Sequence, residues 1–109
     1  MREILFRGIA KIHGTFEFGD LITSMGKIYI GNTIGNHPDD WCEVFPETVG
    51  QFTSLTDKNG VKIFEGDVVY LAGYGDYTVE YPFIELFEAF FEGDIGSIKG
   101  NIHDNPELL

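Results

Sequence analysis

The fold is decided by the stretch from Pro46 to Val69, which reads PETVGQFTSLTDKNGVKIFEGDVV. Within it, Gln51 to Thr56 and Val61 to Phe64 are runs of strand-forming residues, and the four residues from Asp57 to Gly60 separate them. The Asn-Gly pair in this separator favours the positive φ angles that hairpin turns require. The stretch therefore predicts a β-hairpin at the centre of a β-rich chain.

Short strands are also predicted on both sides of this hairpin, because apolar or alternating runs recur between glycines and turn residues. They span Ile4–Phe6, Ile9–Ile12, Thr15–Phe18, Lys27–Ile30, Trp41–Phe45, Val68–Leu71, Tyr77–Tyr81 and Ile95–Ile102. The segment Gly73–Asp76 separates two of these strands and predicts a second hairpin. The polar segment Asn32–Asp40 predicts the longest exposed loop, and Leu108 and Leu109 are expected to dock on the fold.

One segment changes from strand-like to helical periodicity. Between Phe83 and Glu92 the apolar residues recur at helical spacing, with Pro82 before the segment and Gly93 after it. This pattern predicts one short amphipathic helix. Its aromatic residues lie on more than one face, so any that are exposed are expected to form a subunit or partner interface. The alternative is that they are ordinary core residues. The candidate interface residues are Phe83, Phe87, Phe90 and Phe91.

The composition supports a single small domain over residues 1–109. Fourteen glycines and sixteen aromatic residues (ten Phe, five Tyr and one Trp) favour short strands and tight turns over a helical bundle. The expected fold class is mainly β, a small antiparallel sheet or barrel-like domain with one short helix. No repeat of fixed period and no Pro/Ser-rich linker divides the sequence.

The charge limits the classes of partner. Eighteen acidic residues against seven basic ones give a net charge of −11, which repels the phosphates of nucleic acids. We therefore expect no direct nucleic-acid binding, and instead self-association into a homo-oligomer or binding to a host or phage protein. Mimicry of DNA by the acidic surface is an alternative.

The cysteine content and the first residues indicate the compartment. Cys42 is the single cysteine, so no disulfide forms within the chain and a reducing compartment is expected. The segment Met1–Gly8 has neither the apolar region of a signal peptide nor the length of a membrane span. The sequence thus predicts a cytoplasmic protein that does not contact a membrane.

A second alternative is a small metalloprotein or enzyme that uses the segment Asn32–Cys42. Thiolates, imidazoles and carboxylates are ligands of zinc and iron, and a cysteine beside a histidine is a candidate nucleophile. The residues concerned are His37, Asp39, Asp40 and Cys42, joined by His13 or His103 if folding brings one of them near. They also match an ordinary loop followed by a small core cysteine. The prediction is therefore a noncatalytic protein without a cofactor or metal.

Three blocks of the sequence, taken in order, resemble the YopX protein family of phages and prophages. They are Met1–Gly8, Pro46–Asp67 and Gly100–Leu109. The matching residues are mostly turn formers and apolar strand positions, so the resemblance carries over no catalytic residue. It implies a β-rich fold, an origin in a phage or prophage within a bacterial cytoplasm, and an accessory role. Ser54 departs from the pattern, because glycine is usual there in the family.

Overall fold

The computed structural model describes residues 4–31 and 41–104. In these two ranges the strands form two antiparallel sheets, which stay open rather than closing into a barrel, and a single short α-helix accompanies them. The mainly β fold class is confirmed. The chain divides into two compact units, residues 1–51 and 52–109. A single domain over the whole length stays a prediction, which unfolding experiments can test.

The unit of residues 1–51 is built from antiparallel strands that pair in chain order. Its elements are β1 (Phe6–Ile9), β2 (Phe16–Ser24), β3 (Lys27–Gly31), β4 (Trp41–Glu43) and a 3₁₀ turn at Pro46–Thr48. β1 pairs with β2, β2 with β3, and β3 with β4. The next strand, β5 (Gly50–Thr56), begins in this unit, and its residues Gly50 and Gln51 pair with β1.

The chain between β1 and β2 forms a tight turn, so the strand predicted over Ile9–Ile12 was wrong beyond Ile9, where β1 ends. The backbone N–H of Ala10 donates to the Thr15 carbonyl at 3.0 Å, and the N–H of Gly14 donates to the Ala10 carbonyl at 2.8 Å. These bonds close the segment on itself, and Ile12 is left 82% exposed. Local turn bonds therefore outweigh the apolar composition that favoured a strand.

β2 is longer than predicted, because a hairpin turn that the sequence pattern did not reveal joins it to β3. Met25 and Gly26 both adopt positive φ, 52° and 78°, as the two central residues of a type I′ turn do. Ser24 lies opposite Lys27 on either side of this turn. Methionine is not a typical residue at such a position, so composition alone carried no turn signal. The predicted loop Asn32–Asp40 lies outside the described residues.

The unit of residues 52–109 contains both predicted hairpins and the predicted helix. Its further elements are β6 (Lys62–Phe64), β7 (Asp67–Leu71), β8 (Gly75–Thr78), α1 (Ile84–Glu92) and β9 (Ile95–Asn101). The part of β5 beyond Gln51 pairs with β6, whereas β7 lies between β8 and β9 in a three-stranded sheet. The docking predicted for Leu108 and Leu109 falls outside the described residues.

The turn of the first hairpin is organised by the side chain of Asp57. Its Oδ1 accepts hydrogen bonds from the N–H groups of Asn59 and Val61 at 2.8 and 2.9 Å, and its Oδ2 accepts one from Ile98 at 3.1 Å. Gly60 completes the turn with φ of 82°. Burial raises the pKa of Asp57, but the three N–H donors outweigh burial and hold the pKa below its ordinary value. The carboxylate thus joins the turn to β9.

An apolar core lies between α1 and the strands of this second unit. Its buried members are Leu55, Ile63, Val69, Leu71, Val79, Phe83, Leu86 and Ala89. Tyr77, Phe87, Ile95 and Ile98 are partly buried against them. The core fixes α1 by one face and determines which residues of the helix reach solvent. Within the described ranges, no helix has the length and apolar character needed to cross a membrane.

Candidate functional site

The buried face of α1 is narrow. Leu86 is fully buried and Ala89 is 9% exposed, and these positions, three residues apart, lie on one side of the helix. Phe83 caps the N-terminus in a left-handed conformation, with φ of 66°, and it is 3% exposed. The helix ends at Gly93, whose N–H donates to the carbonyls of Ala89 and Phe90. Both ends and the inner face are therefore held by the fold.

A second face of α1 is apolar and exposed. Ile84, Phe87 and Phe91 follow one another at the i, i+3 and i+7 positions that share a helix face, and Phe90 adjoins them. Ile84 is 56% exposed, Phe90 50% and Phe91 82%. The rings of Phe90 and Phe91 contact each other with centroids 5.7 Å apart. We call this set the α1 apolar stripe, made of Ile84, Phe87, Phe90 and Phe91.

The structure separates the four aromatic residues that were predicted as an interface. Phe83 belongs to the core and Phe87 packs partly against it, whereas Phe90 and Phe91 face solvent. Helical periodicity placed these residues on a helix but did not reveal which face would meet the sheet. Ile84 was missed, because only aromatic residues of the segment were taken as interface candidates. The interface itself stays a prediction, now carried by the exposed residues.

An acidic line runs beside the α1 apolar stripe. Glu85, Glu88 and Glu92 occupy i, i+3 and i+7 positions and are all exposed. The sequence of α1 contains no lysine or arginine. The hydroxyl of Tyr77 donates to Oε2 of Glu85 at 3.1 Å, and burial together with this carboxylate raises the pKa of Tyr77 to about 12. The outer surface of α1 therefore combines exposed aromatic rings with negative charge.

An open pocket of about 270 Å³ adjoins the stripe. It is lined by Thr56, Asp57, Lys58, Phe90, Gly93 and Ile95. Phe90 thus belongs both to the α1 apolar stripe and to the pocket wall. Because Asp57 already accepts three backbone hydrogen bonds, its carboxylate contributes to the shape of the pocket more than to its binding capacity.

In the unit of residues 1–51, a different group of side chains comes together. His13, Glu17 and Cys42 each place one potential metal-binding atom within 4.8 Å of the other two. His13 is exposed, and Glu17 and Cys42 are half-buried. Burial raises the pKa of the Cys42 thiol, and the negative charge of Glu17 raises it further.

Strand register explains why Glu17 and Cys42 meet. Glu17 lies opposite Gly8 in the β1–β2 pair, and Cys42 lies opposite Ile30 in the β3–β4 pair. Residues directly opposite in an antiparallel pair point to the same side. A Cβ atom on Gly8 would lie 3.1 Å from side-chain atoms of Ile30 and Val44, so Gly8 and Ile30 share one side. Glu17 and Cys42 consequently share it too.

Only part of the predicted metal-ligand set can be located. His37, Asp39 and Asp40 lie outside the described residues. Of the two histidines considered as further ligands if folding brought one of them near, the described cluster contains His13 and not His103. Glu17 was missed, because nothing in the linear sequence reveals that it lies across from Gly8. Its alternation with Phe16 and Phe18 in a strand was the one signal that it faces a different side from these aromatics.

The chain was compared with known proteins. A sequence model of the family described as YopX protein matches residues 6–109 of the chain. No curated protein and no solved structure matches the chain. The match extends from β1 to the end of the chain and therefore includes both units and both groups of side chains described above.

Proposed function

Because the chain belongs to the YopX protein family, we propose that it is a noncatalytic accessory protein of a phage or prophage that binds another protein in the bacterial cytoplasm. The α1 apolar stripe is the observation that carries this proposal. Contiguous exposed aromatic residues are costly in water and are enriched at the centres of protein interfaces. A helix presenting such residues at i, i+3 and i+7 is a common recognition surface.

The acidic line beside the stripe indicates the chemistry of the partner. Glu85, Glu88 and Glu92 would face the flank of any segment that packs on Phe87 and Phe91. In a two-fold contact between copies of this chain, the same acidic line would come from both sides, and like charges would repel. A basic amphipathic segment instead offers apolar side chains to the stripe and lysine or arginine to the glutamates. We therefore favour such a segment over a second copy.

The proposal is tested with a synthetic lysine-rich amphipathic helix that carries leucine and tryptophan on one face. Fluorescence anisotropy of the labelled peptide measures its affinity for the purified full chain. We expect saturable binding that weakens with salt, because screening reduces the attraction to the glutamates. Phe91→Ser is expected to lower the affinity at least about tenfold, as loss of one aromatic anchor does.

Two controls make the result specific. Ile12→Ser is the matched variant, since Ile12 has the same 82% exposure as Phe91 and lies in the other unit. It should bind like the wild type, and a peptide in which glutamate replaces lysine should not bind. Equal binding by Phe91→Ser and the wild type would refute the α1 apolar stripe as the docking site.

Self-association, the partner expected first from the sequence, is measured by sedimentation velocity over a wide range of concentration. If the wild type forms a defined oligomer that Phe91→Ser dissociates, a second copy covers the stripe and the proposed basic partner is wrong. If the wild type stays monomeric and the peptide binds as described, the proposal stands.

A further inference from the structure

We propose that His13, Glu17 and Cys42 form a binding site for a divalent transition metal, with zinc as the best match. Imidazole, carboxylate and thiolate are the three kinds of side-chain ligand that zinc takes in proteins. In a tetrahedral site with bonds of about 2.0–2.3 Å, ligand atoms lie about 3.3–3.6 Å apart. The present atoms are within 4.8 Å of one another, which is near the spacing that a bound ion requires.

The backbone holds the turn that carries His13 against the strand that carries Cys42. The N–H of Lys11 donates to the Glu43 carbonyl at 2.9 Å, and Ala10 forms an isolated antiparallel bridge with Val44. Nζ of Lys11 also lies 2.8 Å from Oε2 of Glu43. The approach of the two ligands therefore follows from backbone pairing at the two residues that follow Cys42, which is the kind of rigid support that metal sites need.

The charges around the cluster favour a cation. Glu17 brings a carboxylate beside a thiol, while Lys11 and Lys27 both face Glu43, at 2.8 and 4.0 Å. The lysines thus compensate a different carboxylate. A metal ion between Glu17 and Cys42 would neutralise the first and stabilise the thiolate of the second. Binding would release the Cys42 thiol proton to solvent as the sulfur–metal bond forms.

Three protein ligands leave one tetrahedral position for water. This arrangement resembles open zinc sites more than closed structural ones, which have four protein ligands. His13 is the exposed member, so an ion would enter from its side and leave Glu17 and Cys42 half-buried behind it. The site lies in a different unit from the α1 apolar stripe, and its existence does not depend on the proposed protein-binding function.

Metal titration of the purified full chain tests the site. After treatment with a chelator, the protein is titrated with Co²⁺ and then with Zn²⁺ in competition with a chromophoric chelator. We expect one ion per chain and a thiolate-to-cobalt charge-transfer band. Cys42→Ser should abolish the band and lower zinc affinity at least about 100-fold. His13→Gln and Glu17→Gln should each lower it at least about tenfold, since even groups that only support ligands have effects of this size.

The control variants are His103→Gln and Glu47→Gln, which change the same residue types outside the cluster and should bind zinc like the wild type. Circular dichroism verifies that every variant is folded, and zinc should raise the melting temperature of the wild type but not of Cys42→Ser. Weak binding of several ions, equal in all variants, would mean that surface carboxylates bind the metal and would overturn the proposal. Loss of binding in His37→Gln but not in His13→Gln would also overturn it.

Discussion

The two units of the chain differ in how many apolar side chains each of them buries. Residues 52–109 enclose a continuous apolar core in which Ile63, Val69 and Leu86 are completely buried. Among the described residues before Phe52, the buried apolar side chains are Ala10, Ile30 and Val44. This first unit buries polar groups beside them, with the guanidinium of Arg7 4.4 Å from the ring centroid of Phe16.

Hydrogen bonds fill part of the role in the first unit that apolar burial has in the second. The hydroxyl of Thr48 accepts a hydrogen bond from the N–H of Ile9 at 2.8 Å and donates to the carbonyl of Phe45 at 2.6 Å. Such contacts specify geometry but add little net stability, whereas buried apolar area contributes in proportion to its size. The second unit can therefore tolerate exposed aromatic residues that a partner would cover. The first unit buries less apolar area, so a bound metal would add proportionally more to its stability.

The largest expected effect is a loss of stability on truncating the core of the second unit. Leu86→Ala should lower the free energy of unfolding by about 2–5 kcal/mol, because it removes a fully buried side chain and leaves a cavity. Ile84→Ala, two residues away on the exposed side of α1, should change it by about 0.5 kcal/mol or less. Denaturant unfolding measures both, and equal losses would contradict the assignment of the two faces.

Leu86→Ala also tests whether the chain unfolds as one domain. Trp41 is the single tryptophan and lies in β4 of the first unit, whereas Leu86 lies in the second. Since β5 contributes residues to both units, we expect a single cooperative transition. Leu86→Ala should then shift the Trp41 fluorescence transition as far as the circular dichroism transition. A shift in circular dichroism alone would show that the units unfold separately.

A smaller loss of stability is expected on replacing Asp57 in the second unit. Asp57→Asn should lower the free energy of unfolding by about 1–3 kcal/mol, because an amide nitrogen cannot accept all of the hydrogen bonds that the carboxylate accepts. The matched control is Asp76→Asn. Asp76 is exposed and lies 3.9 Å from Lys99, and such surface pairs contribute about 0–1 kcal/mol.

The lowered pKa of Asp57 also leads to a prediction about how stability depends on pH. Its pKa in the folded state lies below the ordinary value of 3.8, so the carboxylate stabilises the fold above about pH 4 and this contribution is lost as the pH falls through the folded-state pKa. Between about pH 6 and about pH 3, the wild type should therefore lose more stability than Asp57→Asn. Parallel stability curves for the two proteins would contradict this account.

The smallest effect concerns a strained residue in β5. Ser54 has φ of 76° at an irregularity in the β5–β6 pairing, where a residue with a side chain costs about 1 kcal/mol relative to glycine. Ser54→Gly should raise the free energy of unfolding by about this amount. Ser97→Gly, in β9 without a positive φ, should lower it by about 0.5–1 kcal/mol. Destabilisation by both variants would show that Ser54 is not strained.

Local signals explain which elements could be predicted from the sequence. Asp57 to Gly60 gave a hairpin, and the spacing of Leu86, Phe90 and their neighbours gave the helix, because each pattern reflects backbone preferences within a few residues. The prediction for Ile9–Ile12 failed beyond Ile9, where bonds between Ala10, Gly14 and Thr15 close a turn. Apolar composition is shared by strands and exposed turns, so it did not distinguish them.

By itself, the sequence determined the family, the mainly β class, both hairpins and the presence of α1. These features depend on the conformational preferences of residues that are close together in the sequence. The tertiary structure alone decided that Phe83 is buried while Phe91 is exposed, and that His13 and Glu17 lie beside Cys42. Such relations depend on strand register and on which helix face meets the core. They join residues distant in sequence, and no local pattern encodes them.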